Sequence, residues 1–508
     1  MRLWHRWVAA IAIGAAGLAG WAGAGRAQAP KAQWVVAIGE EGESLDPPTS
    51  MLFTSEIYQQ HLFDCLLGIE GEEFKPVPLL AEKWETINPT TWRFHLRKGV
   101  KFHNGKPLTA EDVKYSFEQY ADTKNRRSVF ARGISKIEIK NASTVDLITS
   151  EPVSALLFNL TRLQIVPKET REKEGVAAFA AAPVGTGPYK FVEWKRDQQL
   201  VLEANPTYWR GAPKIKRVIW KPIPDNFARV AALTRGEAQI ITKVIPDHVS
   251  QIQQAGCCRV EHTLTNLVTV YLINAQKGPL ASTKVRQALN YAVDKDKIIK
   301  ELYKGYAIPI GSGIPNTDFG YNPRIKPYPY DPAKAKALLT EAGFGGGVDV
   351  DIQSGNGIHL NDRQLSEAVA LMLQDVGVRA KIGVLEPSQR SQLLRANSFP
   401  GLLLADPAST TYDADGVIWR LRGPGGILHQ AWPGNYEGTP FYKMMEEARV
   451  TLDSSKRLKI YHEAAQTWHD EAPELFLFQG EMIDGARNEI VYKARGDQRI
   501  ILYDISYR

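Results

Sequence analysis

Only three cysteines occur in 508 residues: Cys65, Cys257 and Cys258. Three thiols cannot build a disulfide framework, and an odd number leaves at least one unpaired in an oxidising compartment. The adjacent Cys257 and Cys258 are residue types of redox and metal sites. No C-x-x-C spacing or histidine cluster stands with them, so burial as small apolar side chains is the simpler reading. Charge of one sign is scarce too: 62 Lys and Arg face 56 Asp and Glu, for a formal +6. An excess so small and scattered excludes an electrostatic footprint for nucleic acid. Past residue 24 no segment approaches the ~18 uninterrupted apolar residues of a membrane span. Internal repeats, low-complexity tracts and long linkers are likewise missing.

Enzyme motifs also fail on inspection. Gly185-Thr186-Gly187 is followed by proline, without the lysine and helix of a phosphate loop. Gly311-Ser312-Gly313 lacks nucleophile-elbow spacing. His462 and His469 are too far apart for an i, i+4 metal pair and read as helix-face residues. No catalytic constellation, metal site or cofactor motif emerges.

The N-terminus does carry a pattern. Arg2, His5 and Arg6 precede an apolar run of small residues, Val8 to Ala24, and Ala27-Gln28-Ala29 is an A-x-A cleavage site. The spacing predicts a signal peptide over 1–29; a membrane anchor is the competing reading of the same run. No cysteine follows the site, against a lipid-anchored form, and twin arginines are absent, which favours export unfolded. Removing Arg2, Arg6 and Arg26 lowers +6 to +3. About 480 residues then remain, enough for two or three lobes.

The rest is written as α/β. Val348, Val350 and Ile352 alternate as a strand. Asn361 stands where it can cap a helix carrying Leu365, Val369 and Leu373; Gly377 ends it, and Ala380, Ile382 and Val384 form a second strand. Strand, helix and strand make a βαβ unit with parallel pairing. Asp331-Pro332 starts a helix that stops at Gly343, Asp294 caps another through Ile298 and Leu302, and Pro473–Phe478 reads as a buried strand.

Residues 80–118, LAEKWETINPTTWRFHLRKGVKFHNGKPLTAEDVKYSFE, are the most telling stretch. Trp92, Phe94 and Leu96 alternate with Arg93, His95 and Arg97 as in a half-buried strand. Asn104-Gly105 suits a tight turn, and Thr109 with Asp112 can start a helix. The same stretch resembles the signature region of extracytoplasmic solute-binding proteins of the dipeptide/oligopeptide/nickel class (family 5). VGTGPYKFVEW at Val184–Trp194, the block at Asn205–Lys214, ARVAALTRGEAQI at Ala228–Ile240, Asn274–Lys295 and Asp331–Phe344 extend the likeness from about Asp46 to Phe478.

That resemblance implies the type II periplasmic binding protein fold: two α/β lobes, with an extra subdomain in the first. It suggests lobe I over 30–66 and 183–270, the subdomain over 67–182, lobe II over 271–478 and a return to lobe I over 479–508. Crossings are expected near Thr269–Leu272 and Phe476–Gly480. The implied role is the periplasmic receptor of an ABC importer, without enzymatic activity or cofactor and acting as a monomer. It would close on a small solute and deliver it to a permease with cytoplasmic ATPase subunits. A di- or oligopeptide is the leading ligand. Opines, glycosides and nickel chelates stay open, as do a secreted enzyme reusing the fold and a signalling or chaperone-like role.

Ligand contacts are expected from two segments. Thr49–Thr54 follows the family-like Leu45-Asp46-Pro47 and brings Ser50, Met51, Leu52, Phe53 and Thr54. Gly401–Gly423 brings Asp406, Ser409, Tyr412, Trp419, Arg420 and Arg422, with Trp432 beyond it. In peptide-binding relatives an aspartate matching Asp406 pairs with the ligand ammonium. Relatives that bind dipeptides hold the carboxylate with an arginine after the first βαβ strand, where this chain reads Gln353-Ser354-Gly355-Asn356-Gly357. Arg420 or Arg422 is the expected substitute, a guanidinium fork suiting carboxylate, unless both are solvated helix-end charges. Leu403 and Leu404 occupy the place of a family-typical aromatic, leaving Trp419 and Trp432 to stack on a ligand or to serve as core.

Overall fold

Two long strands, Cys258–Ile273 and Glu474–Arg487, run antiparallel through the middle of the computed structural model. The structure describes residues 33–508 apart from 72–73, 123, 126, 397, 410 and 423–435, and leaves out the side chains of 395, 419–422 and 436. Valine, threonine, isoleucine and tyrosine crowd the first strand, where β-branched and aromatic side chains fit a pleated, buried surface. Their ladder runs from Cys258 opposite Arg487 to Leu264 opposite Glu481, breaks, and resumes with Val268 opposite Gln479. Cys258 and Ile483 pack into a first-lobe core, whereas Val268 and Phe476 pack into a second-lobe core. The break, with Thr265, Asn266 and Leu267 facing Gly480, is therefore where the chain passes between lobes. It lies just N-terminal to the stretch expected for the first crossing.

The buried side chain of Gln479 spans this break. Its Nε2 donates to Thr265 O and to Asn316 Oδ1 (2.9 Å), and its Oε1 accepts the Asn316 N–H (3.0 Å). An amide side chain thus replaces ladder bonds that the break removes, which a buried backbone requires.

The two strands belong to an eleven-stranded sheet shared by both lobes. On the first-lobe side Gln33–Ile38 lies parallel to Arg217–Pro222 and Ile240–Ile241, and Gln199–Ala204 and Tyr189–Lys195 complete that edge. Trp34, Tyr58 and Trp220, all fully buried, fill the core beneath it. Ile490, Ile500 and Leu502 from the C-terminal segment pack into the same core.

The subdomain has its own four-stranded antiparallel sheet, in the order Ala81–Asn88, Thr91–Leu96, Thr144–Thr149 and Ile134–Asn141. Phe94 and Leu96 are buried, as the alternation predicts, against Val113, Phe117 and Tyr120 of helix Ala110–Ala121. The Thr109 N–H and hydroxyl both donate to the Asp112 carboxylate, at 2.9 and 2.8 Å. Gly105 takes φ +85°, in the left-handed region the turn requires.

The signature motifs meet in space. His103 N–H donates to Gly185 O (2.8 Å), and Gly187 N–H donates to Leu62 O (2.9 Å). A Cβ at Gly185 would stand 1.9 Å from Leu62 O, so only glycine admits this approach. Asp46 is consumed by Arg171, which reaches it through Nε and Nη2 at 2.8 and 2.9 Å. Both motifs therefore help to build lobe I. His462 and His469 also serve packing, bonded to Tyr321 O and Gly311 O.

In the second lobe Val348–Gly355 and Val378–Leu385 pair in parallel across helix Asp362–Gln374, and Leu402–Ala405 lies parallel to the first of them. Asp294 and Asp331 accept the N–H groups of Lys297 and Lys334, each capping its helix. Asn361 departs from expectation. It occupies the N-cap position at φ +57° but makes no cap bond, donating instead to Leu302 O at 2.9 Å. Cys65, Cys257 and Cys258 are all free, and Cys258 Sγ lies 3.7 Å from Leu233 O. Among the described residues no helix is long and apolar enough to cross a membrane.

Candidate ligand-binding site

A cavity of about 420 Å³ opens between the lobes beside the strand break. Its second-lobe wall follows from the strand Leu402–Ala405, whose residues are all buried. Asp406 comes immediately after, where the backbone leaves the sheet and the side chain reaches the cleft. Its Oδ2 lies 2.7 Å from His359 Nδ1, and its Oδ1 is buried with no hydrogen-bond partner among the described residues.

The following residues run along the strand break. Leu267 bridges Ala408, Ser409 N–H donates to Asn266 O (3.1 Å), and Asn266 Nδ2 donates to Ser409 O (2.5 Å). Asn266 Oδ1 in turn accepts from Gln498 of the first lobe at 3.3 Å. Tyr412 is buried at φ +55° and also lines the cavity.

Met51, Phe53, Glu56, Arg162 and Lys243 form the opposite wall. Burial alone would raise the pKa of Glu56, but the charges of Arg162, Arg499 and Arg127 outweigh it and hold it at about 2. Arg162 and Arg499 meet that carboxylate at 2.5 and 2.7 Å, and Lys243 meets Glu40 at 3.2 Å. From helix Pro387–Ala396 comes Arg390, whose Nη2 is 3.4 Å from Leu404 O. Burial pushes its pKa down, and the charge of Asp406 opposes that shift.

Of the residues expected from the sequence, Met51, Phe53, Asp406, Ser409 and Tyr412 line this one cavity. Ser50, Leu52 and Thr54 do not. Ser50 and Thr54 are buried, the Ser50 hydroxyl donating to Glu43 (2.7 Å) and the Thr54 hydroxyl to Glu40 (3.1 Å), while Leu52 precedes helix Phe53–Leu62 as its cap residue. Two acidic side chains upstream, Glu43 and Glu40, take up the loop hydroxyls. Trp419, Arg420 and Arg422 fall on helix Ala414–Arg422, but their side chains, and all of Trp432, lie outside the described residues.

Sequence reasoning missed His359, Arg390, Glu56, Arg162, Lys243, Asn266 and Gln498. His359 carried a signal, since it follows the very loop in which an arginine was sought. Arg390 carried none, because its direction depends on how its helix packs on the sheet.

A model of the bacterial extracellular solute-binding proteins, family 5, matches residues 75–428. The chain belongs to that family. Over 459 residues it is 30% identical to the dipeptide-binding protein of Escherichia coli K12, covering 84% of this chain and 85% of the relative. It is 28% identical over 496 residues to the glutathione-binding protein GsiB of Pectobacterium atrosepticum, covering 94% and 93%. The periplasmic binding protein DppA of Helicobacter pylori, solved with the peptide STSA, superposes with a TM-score of 0.79. That match is at 25% identity and covers 94% of this chain and 98% of that one. Family 5 consists of solute-binding proteins, and its fold is the two-lobed type II periplasmic binding fold. This member carries the same binding role.

Proposed function

We propose that this family 5 protein captures a small amine-bearing solute, foremost a di- or oligopeptide, and presents it to the permease of an ABC importer. Asp406 carries the reading: a carboxylate at a strand end in the inter-lobe cleft, with one oxygen held by His359 and the other unpartnered. A ligand ammonium at that oxygen makes a charge-assisted bond worth roughly 1.5–3 kcal/mol in such a place. The dipeptide-binding and peptide-complexed relatives support a ligand of this kind.

Capture needs no covalent chemistry. Solute bridges the walls, the strand breaks at Thr265–Leu267 and Gly480 act as the hinge, and the closed form is selected because it binds solute better. The leader over 1–29 fits export to the periplasm and cleavage after Ala29.

A thermal-shift screen of the mature protein tests the proposal against peptides, opines, oligosaccharides and nickel chelates, with Asp406→Ala alongside. Ligand at ~100 Kd adds about 2.7 kcal/mol, a clear rise in melting temperature. Peptides should stabilise the wild type and fail on the variant. Stabilisation by sugars or chelates alone, indifferent to Asp406, would overturn the ligand assignment and leave the receptor role.

A further inference from the structure

We propose that Arg390 and Asp406 together hold an α-amino-acid head group, that is, an ammonium and a carboxylate borne on one carbon. The proposal rests on the reading of Asp406 as an amine anchor and names the ligand chemistry beside it.

The charges lining the cleft lead there. Among the described residues three cationic side chains reach the cavity: Arg162, Lys243 and Arg390. Arg162 is taken up by Glu56 at 2.5 Å, and Lys243 by Glu40 at 3.2 Å. Arg390 has no carboxylate partner among the described residues. Among the described residues the one hydrogen bond of its side chain, Nη2 to Leu404 O at 3.4 Å, is long, and its Nε is buried without any. The carboxylate nearest in character is Asp406, itself left with an unpartnered buried oxygen.

Placement ties the two together. Leu404 stands two positions before Asp406 on the same strand end, so the guanidinium lies over the backbone that presents the carboxylate. They feel each other's charge without pairing. His359 explains part of this, because it engages Asp406 Oδ2 and holds the carboxylate in one orientation.

Opposite charges left apart in a low-dielectric cleft are costly, and a ligand that supplies both complements removes both costs. An α-amino-acid head does so, with its ammonium toward Asp406 and its carboxylate toward the Arg390 fork. The N-terminus of an α-linked peptide supplies only the ammonium; its neighbouring amide carbonyl gives Arg390 a neutral acceptor.

The test is calorimetric titration of the mature protein with γ-L-glutamylglycine, with the same compound as its α-carboxamide, and with alanylalanine. The acid should bind at least ten times more tightly than the carboxamide. Arg390→Gln should weaken the acid about 10- to 100-fold and the carboxamide little, as loss of one charge-assisted bond predicts. Arg390→Lys, which keeps the charge but not the fork, should fall between. Acid and carboxamide binding within threefold of each other would overturn the proposal, and this comparison needs no variant. So would alanylalanine binding in an Asp406-dependent way while the acid fails, an outcome that keeps the amine-receptor reading. Failure of all three compounds would count against both.

Discussion

The ring of Phe74 lies on that of Tyr412, with 4.5 Å between centroids and 24° between planes. One comes from the first lobe beside the strand Lys75–Pro78, the other from the second-lobe loop that follows Asp406. Both residues have positive φ, +48° and +55°, which bulky side chains adopt only when their surroundings demand it. The stack joins the two lobes beside the cavity that Tyr412 lines.

Phe74→Ala should therefore weaken solute binding more than it perturbs either lobe. An aromatic pair contributes about 0.5–1.5 kcal/mol beyond its buried area, so affinity should fall roughly 2- to 10-fold. Titration calorimetry of the variant checks this, with small-angle scattering of the solute-loaded protein showing a larger share of open molecules. Unchanged affinity would remove the stack from the closing mechanism.

The hinge gives a stability prediction. Gln479→Ala removes three hydrogen bonds at the strand break and leaves Thr265 O and Asn316 without them. Buried groups left unsatisfied cost about 1–3 kcal/mol each, so the variant should lose about 2–4 kcal/mol in urea unfolding. Gln479→Glu keeps the size but reverses the donor and should do no better.

Asp318 and Glu56, both buried, contribute to the dependence of stability on pH in opposite directions. Burial raises the Asp318 pKa to about 8, against hydrogen bonds from Ser409 and Thr317, and its Oδ2 has no partner among the described residues. Between the unfolded value near ~4 and 8 the folded state binds the extra proton, so this contribution is full below ~4 and is lost as pH rises through 8. Glu56, held at about 2, behaves the other way. Its contribution is full above ~4.5 and is lost as pH falls through 2. Melting temperature followed from pH 3 to 9 should fall on both sides. Asp318→Asn should flatten the alkaline limb in part, since burial also raises Asp415 and Asp484 to about 6, and should leave the acid limb in place.

Local physics was legible in the sequence, and long-range geometry was not. Thr109 with Asp112, Asp294 and Asp331 declare helix starts because each acts within one turn of itself. Asn361 shows the limit, since its type fits a cap while its left-handed backbone sends the amide to Leu302. The strand Glu474–Arg487 was visible only in its apolar first half. Past Phe478 the sequence QGEMIDGAR is held in strand form by its long partner rather than by its own pattern. In the site, Asp406 could be placed because a buried leucine run points to a strand end. His359 touches it from 47 positions away, and Arg390 reaches the Leu404 carbonyl beside it from helix Pro387–Ala396, contacts that only the packed βαβ layers create. The partners of the Ser50 and Thr54 hydroxyls, Glu43 and Glu40, were not legible either, since they lie 7 and 14 positions upstream.

The most direct test of the account is a thermodynamic cycle on Asp406. Alanylalanine and its N-acetyl derivative are titrated against the wild type and Asp406→Asn. If the carboxylate holds the ligand ammonium, acetylation and substitution each weaken binding roughly 10- to 100-fold, and together they cost little more than either alone. If the acetylated peptide binds the wild type as tightly as the free amine, Asp406 anchors something else and the proposed ligand chemistry fails.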